Sequence, residues 1–388
     1  LSPEIEQFPL QRADWQNLMA SFRTPVYSKH DAGREEHDRR TCHLGLSAMD
    51  FALPGCQIAM SAGYKALRTE AAWLDVSQRG KILVTGEDRA RLLHAMATNH
   101  IQQLVAGTGC YAFFLNAAGR VLADANIFCR PGHFLLDVEP ELGDKVYQHL
   151  EKFIIADDVT LENVSNQLGV IALEGPNAAK AMGLLGAPVP AAAFGSEQWE
   201  SRLVARVSIT GLDGFRIFFP AGERGELAAQ LEMQGVAAAD EDTFRTVRLE
   251  TGKPRYGEDI TERYLAQEAN QPHAIHFQKG CYLGQEIVER VRSRGQIHRV
   301  LMPLHIAVEA PPAPGTKLQV DGKNAAEIAS SAYSPALGQV VALAYVRVEH
   351  AKPGTVLQFG ATVAIVQQPP SALPPGEHGS TPAAGRFT

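Results

Sequence analysis

Two segments of this chain repeat the same grammar: a short apolar strand, a glycine, then a helix. KILVT (Lys81–Thr85) runs into Gly86 and EDRARLLHAMATN, and GVIALE (Gly169–Glu174) runs into Gly175 and PNAAKAMGLL with Pro176 at the helix start. Set about ninety residues apart, the two units imply a duplicated or interleaved architecture rather than one doubly wound sheet. Between them CYAFFL, VLADANIF and HFLLDV are short β-prone runs separated by NAAGR and RPGH, the pattern of an antiparallel meander. ELGDKVYQHLEKF then reads as a helix and VTLENV as a strand.

Beyond a connection at GAPVPAAAFG, strands are expected in RLVARVSIT and GFRIFFP, and helices in ERGELAAQLEMQG and EDTFRTVRLETG, the second closing at Gly252. The Pro-rich break EAPPAPG precedes a β-rich segment, read as a small barrel or sandwich. The resulting division is an N-terminal extension over 1–62, a two-lobed region over 63–300, a β domain over 301–367 and a disordered tail over 368–388. In the extension, His37, Cys42, His43 and Cys56 follow no standard zinc spacing.

At 388 residues and 45% hydrophobic the chain can bury a large core, and its length suggests about two to three domains. The net charge of −7 argues against a surface built to neutralise phosphates, so direct nucleic-acid binding is not expected. Five cysteines without a CxxC pair fit a reducing cytoplasm better than a secreted disulfide framework. No apolar run has the length of a membrane span, and the first residues lack the order of a signal peptide.

The octapeptide KGCYLGQE (Lys279–Glu286) sets Cys281 between two glycines, ahead of the helical pattern IVERVRSRG. A helix N-terminus and nearby cations favour a thiolate, whereas an inert buried cysteine is the plain alternative. Lys279, Arg290, Arg292 and Arg294 form a cationic set that can receive an anionic ligand, stabilise the thiolate, or solvate a helix face. Gly280 and Gly284 read as backbone requirements, and Gln285 and Glu286 as caps for the helix start. Asp124 interrupts the apolar strand VLADANIF, a costly position for an acid unless it is paired or faces a cavity.

Four stretches in order, WLDVSQRGKILVTGEDRARLLHAMATNHIQQL, YAFFLNAAGRVLADANIF, TGLDGFRIFFP with FRTVRLETGKPRYGEDI, and KGCYLGQE, carry a resemblance over Gly63–Gln367. They resemble the aminomethyltransferase family, the T-protein of glycine cleavage, and the last motif resembles its YgfZ-type folate-binding branch. The resemblance implies an α+β, GcvT-like fold: two interleaved α/β lobes around a central cavity plus a small C-terminal β-barrel. It implies tetrahydrofolate, or a 5-formyl or 5,10-methylene derivative, as ligand. It places Asp124 at the reactive end of the folate and Glu250 on the pterin, where a carboxylate matches adjacent N–H donors in a fork. The competing role for Glu250 is an ion pair with Arg245 or Arg248. Lys279, Arg292 and Arg294 are further candidates to contact the folate.

Two departures bear on activity. The family often has two adjacent acids where this chain has Ala123 and Asp124, and a Gly-Tyr-Thr-Gly turn where it has Ser208-Ile209-Thr210-Gly211. They weaken methylene transfer more than folate binding. The resemblance therefore implies, first, a folate-binding accessory protein whose reactive Cys281 serves assembly or repair of iron–sulfur client enzymes, including tRNA-modifying ones. A tetrahydrofolate-dependent aminomethyltransferase is the alternative, and an interaction module with a dead folate site is a third reading. One thiol cannot hold a cluster alone, since such clusters usually take about four.

Overall fold

The computed structural model describes residues 61–370 except Gln296, so the extension up to residue 60, its His and Cys residues, and the tail beyond Pro370 lie outside the described residues. The chain enters on helix α1 (Ala62–Thr69), whose first turn is closed by Ser61 accepting from the Tyr64 N–H. Strand β1 (Ala72–Asp75) belongs to a first sheet, yet the chain leaves at once for a second. There β2 (Gly80–Thr85), helix α2 (Arg89–Met96), β3 (Gly109–Leu115), β4 (Val121–Arg130), β5 (His133–Val138), helix α3 (Gly143–Glu151) and β6 (Thr160–Asn163) complete one lobe. Its five strands run in the order β3-β4-β5-β2-β6, with the expected meander as three antiparallel neighbours.

The chain then returns to the first sheet with β7 (Leu168–Glu174), helix α4 (Ala178–Leu184), β8 (Ser196–Trp199), β9 (Arg202–Ala205), β10 (Gly214–Pro220), helix α5 (Arg224–Met233) and β11 (Ala237–Ala238). The order β11-β1-β7-β10-β9-β8 inserts β1 between β7 and β11, strands that begin only at Leu168 and Ala237, which is the interleaving. Helix α6 (Glu241–Glu250) begins on Asp240, which accepts from the Thr243 N–H at 2.7 Å, and ends before Gly252 in the left-handed region.

The two strand–Gly–helix units prove equivalent at their turns. Gly86 (φ +96°) would bring a Cβ 2.0 Å from the Asp158 carbonyl oxygen, and Gly175 (φ +126°) one 2.6 Å from that of Glu70. Neither turn tolerates a side chain, so the same residue recurs for the same reason.

After helix α7 (Gln285–Arg294), the strands β12 (Arg299–Ile306), β13 (Lys317–Val320), β14 (Lys323–Ser334), β15 (Gln339–Arg347), β16 (Val356–Phe359) and β17 (Thr362–Val366) close into a barrel, order β12-β15-β14-β13-β16-β17. Closure removes the sheet edges and leaves a separate apolar core of Leu304, Ile306, Leu318, Ala342, Val346 and Leu357. Among the described residues no helix is long and apolar enough to cross a membrane.

Candidate functional site

Where the two lobes and the barrel meet, they enclose a cavity of about 900 Å³. Its walls come from β1 (Leu74), β3 (Tyr111), β4 (Asp124), β5 (Asp137), β10 (Arg216), the 208–211 and 251–255 loops, and barrel residues Pro303 and Leu343. The first residues of the supposed tail, Gln368 to Pro370, also line it. The volume suits a drug-sized heterocyclic ligand.

Asp124 lies in this wall, 8% exposed, and accepts from the Tyr111 hydroxyl at 2.7 Å. Burial, then the Glu139 carboxylate, pushes its carboxyl up to about 6, with the Tyr111 bond, Arg79 and Arg255 acting against the rise. Beside it Asp137 is fully buried. It accepts from Arg79 Nε at 2.6 Å and Asn126 Nδ2 at 3.0 Å and is ion-paired with Arg216. Burial works to raise Glu139, but Arg79 and Arg255, 2.5 and 2.9 Å away, outweigh it and hold the carboxyl below its ordinary range. Burial lowers the Lys253 amine to about 8, and its Nζ donates to the Ser208 carbonyl. His273, whose ring lies 5.3 Å from that of Tyr111, is lowered to about 4 by burial and by Lys253.

The turn Ser208–Gly211 is organised from behind by Glu174, the last residue of β7. Its carboxylate accepts from the Ser208 and Thr210 hydroxyls and from the Ile209 and Thr210 N–H groups. A buried acid so fully satisfied fixes backbone, and here that backbone is cavity wall.

Of the residues expected at the site, Asp124 alone lines the cavity. Glu250 is not part of that lining. Its carboxylate accepts from the Tyr64 hydroxyl and from Ser334 Oγ at 2.6 Å, and pairs with Arg68 at 3.3 Å. It therefore ties α6 to α1 and the barrel, and faces a separate hollow of about 250 Å³. One residue position separates its helix face from that of Arg248, which does line the cavity while bound to Glu258 and Asp259.

Lys279, expected as a folate contact, also stands outside the lining. It is 6% exposed and its Nζ donates to the His94 and Ala97 carbonyls, capping the end of α2, with the Tyr282 ring 4.7 Å away. Arg292 and Arg294 stand exposed on α7, outside the cavity, with Arg292 over the Phe277 ring and 3.4 Å from Glu289. Cys281 is exposed rather than buried, whereas Cys110 is buried. Gly284 (φ +84°) is needed, since a Cβ would sit 2.7 Å from the Asn116 carbonyl oxygen. Gly280 has room, its nearest neighbour being His94 Nε2 at 3.8 Å. Gln285 accepts from the Tyr282 N–H, while Glu286 pairs with Arg290 at 2.8 Å rather than capping the helix.

Arg79, Tyr111, Asp137, Arg216 and Lys253 were not anticipated. The signal that found Asp124 could have found Asp137 in HFLLDV and Arg216 in GFRIFFP, for each is a charge inside an apolar strand.

Two interleaved lobes, a cavity at their junction and a closed barrel define an α+β protein of the aminomethyltransferase superfamily. Family models match this division: the GCVT N-terminal domain over residues 47–279 and the glycine cleavage T-protein C-terminal barrel domain over 299–367. The chain belongs to the glycine cleavage T-protein family. It is 29% identical to an aminomethyltransferase of Rubrobacter xylanophilus, over 84% of this chain and 87% of that one. It is 26% identical to a putative chloroplastic transferase of Arabidopsis thaliana, over 77% of this chain and 72% of that protein. The crystal structure of the glycine cleavage system aminomethyltransferase T from Bartonella henselae shares the fold, with a TM-score of 0.73 at 23% identity, covering 79% of this chain and 88% of that one.

Proposed function

We propose that this protein binds a reduced folate in the central cavity and handles a one-carbon unit there, with Asp124 at the reactive end. The observation that carries the reading is the buried Asp124 carboxyl, raised to about 6 and oriented by the Tyr111 hydroxyl. A carboxyl poised near neutrality is suited to move a proton at a reacting nitrogen. The donor set fits the ligand. Tyr111, Phe194 and Phe244 offer faces and edges to a bicyclic ring, and the wall carries both carboxylates and guanidinium groups for its polar rim. The family, and the relatives named aminomethyltransferase, support tetrahydrofolate as the ligand and aminomethyl transfer as the reaction. In that reaction the two folate nitrogens take the donor methylene as its bonds to the lipoyl sulfur and to the amine break, and Asp124 relays a proton from the attacking nitrogen, the two N–H protons ending on the departing thiol and ammonia.

A second reading is favoured by Cys281. The motif around it is held in place by Lys279 and Gly284, yet the cysteine is exposed and stands apart from the cavity lining. A loop so constrained suits the YgfZ-type role, in which the folate-bound protein presents a thiol to iron–sulfur client proteins and contacts neither nucleic acid nor membrane itself. The free thiols Cys110, Cys129 and Cys281 fit a reducing cytoplasm.

Calorimetry with tetrahydrofolate and 5-formyltetrahydrofolate tests the shared claim, and saturable binding is expected. An assay with a lipoyl-bound aminomethyl donor then separates the readings: turnover supports transfer. Its absence, with Cys281→Ala failing to restore iron–sulfur enzyme activity in cells lacking the protein, supports the accessory role.

A further inference from the structure

Most of the cavity wall is fastened by hydrogen bonds or ion pairs. Its strands are paired in sheets, Glu174 holds the 208–211 turn, and Arg248 and Arg255 are locked to Glu258, Asp259, Glu139 and Glu141. The segment that follows the barrel differs. Gln367 is the last residue tied down, its N–H donating to the Pro303 carbonyl at 2.8 Å and its side-chain amide to the Ile365 carbonyl at 3.0 Å. Beyond it Gln368, Pro369 and Pro370 line the cavity, yet they make no hydrogen bond or ion pair with any described residue. Packing alone seats them. Pro370 rests against Gly252, on which a Cβ would come 3.2 Å from Pro370 Cδ and 3.3 Å from Pro303 Cβ.

A piece of wall without hydrogen bonds is the piece that opens at least cost, and lids over ligand sites are drawn from such pieces. Two adjacent prolines stiffen this one, so it moves as a body about Gln367. It also has room to move. Gln368, with Thr251, Gly252 and Pro303, borders both the cavity and the hollow of about 250 Å³ that Glu250 faces, and Gln368 and Pro370 are themselves exposed. Lifting the segment therefore widens the cavity toward that hollow and toward solvent. We propose that Gln368–Pro370 is a strap that closes over the cavity and lifts from Gly252 to admit and release the reduced folate. The proposal rests on the folate reading and adds to it the side from which the ligand enters.

The test is the association and dissociation rates of tetrahydrofolate, measured by stopped flow on the full chain, a truncation after Pro370 and a truncation after Gln367. The shorter chain keeps β17 and the Gln367–Pro303 bond, so the barrel retains its pairing. Without the strap, association should quicken by about fivefold or more and dissociation by about tenfold or more, because ligand no longer waits for the open state. The truncation after Pro370 should stay within about twofold of the full chain. A fixed wall behaves differently: its removal costs contacts, so dissociation quickens and association does not, and that outcome overturns the proposal. Unchanged rates overturn it as well, as does an equal gain in the truncation after Pro370. Should the shorter chain fail to fold, Pro369→Gly with Pro370→Gly in the full chain loosens the strap without removing it. Association should then quicken by about twofold or more, and an unchanged rate overturns the strap. Each of these failures leaves the folate reading standing, whereas a full chain that binds no tetrahydrofolate overturns both.

Discussion

The cavity wall and the KGCYLGQE loop both bury a cation near an ionisable side chain, and they use it in opposite ways. In the wall, Arg79, Arg216 and Arg255 are matched against Asp137 and Glu139, and that paired cluster surrounds the carboxyl of Asp124. In the loop, Lys279 spends its charge on the His94 and Ala97 carbonyls that end α2, so the lysine is an anchor and the cysteine is what it presents. Charge in the wall is paired around the cavity; charge in the loop is spent on the backbone. Contiguity in sequence is therefore a poor guide to which residues work together.

The largest effect separating the two regions is on transfer chemistry. Asp124→Asn should lower folate-dependent aminomethyl transfer by about 10²–10⁴-fold with little change in folate affinity, while Cys281→Ala leaves the rate unaltered. A comparable loss in Cys281→Ala would show that loop and cavity form one site. Next in size, Arg79→Met strips Asp137 and Glu139 of a shared partner and should cost about 3–5 kcal/mol in urea unfolding, because it leaves buried carboxylates poorly compensated. Fully retained stability would mean the cluster is wetter than its burial implies.

The Asp124 carboxyl gives a pH-dependent contrast. Its folded value of about 6 exceeds the ordinary aspartate value of 3.8, so between those pH values the native state holds a proton that the unfolded chain has released. Stability therefore falls as pH rises between those values, by roughly 2–3 kcal/mol in total. Asp124→Asn removes this penalty, and the variant should melt above wild type at pH 8 with the gap closing toward pH 4. Parallel melting curves at both pH values would refute the raised carboxyl. A residue that destabilises its own fold at working pH is the kind retained for chemistry.

How far the sequence leads differs between the same two regions. Interleaving could be inferred from Gly86 and Gly175, since a glycine forced by a close backbone approach leaves a local mark. The β domain was legible from its Pro-rich border, although closure rather than a sandwich was implied only by the family resemblance, because strand pairing between β12 and β17 is set by residues some sixty positions apart. The cavity was legible at Asp124 alone. Asp137 and Arg216 meet only because β5 and β10 come from different sheets, and no spacing rule links them. Glu250 misled for the converse reason. It stands two residues from Arg248 in one motif, and a helix turns those two side chains about 200° apart, one to the cavity and one to α1 and the barrel.

The smallest expected effects test that placement. Glu250→Gln keeps hydrogen-bonding partners for Tyr64 and Ser334 but loses the pair with Arg68, so a stability cost of about 1 kcal/mol is expected. Folate affinity should stay within about twofold, because no charge in the cavity wall has changed. Arg294→Ala, on an exposed helix face, should alter stability by about 0.5 kcal/mol or less and affinity not at all. A tenfold loss of affinity in either variant, at unchanged melting temperature, would return that residue to the ligand. It would also dissolve the separation between the cavity and the KGCYLGQE loop with its helix.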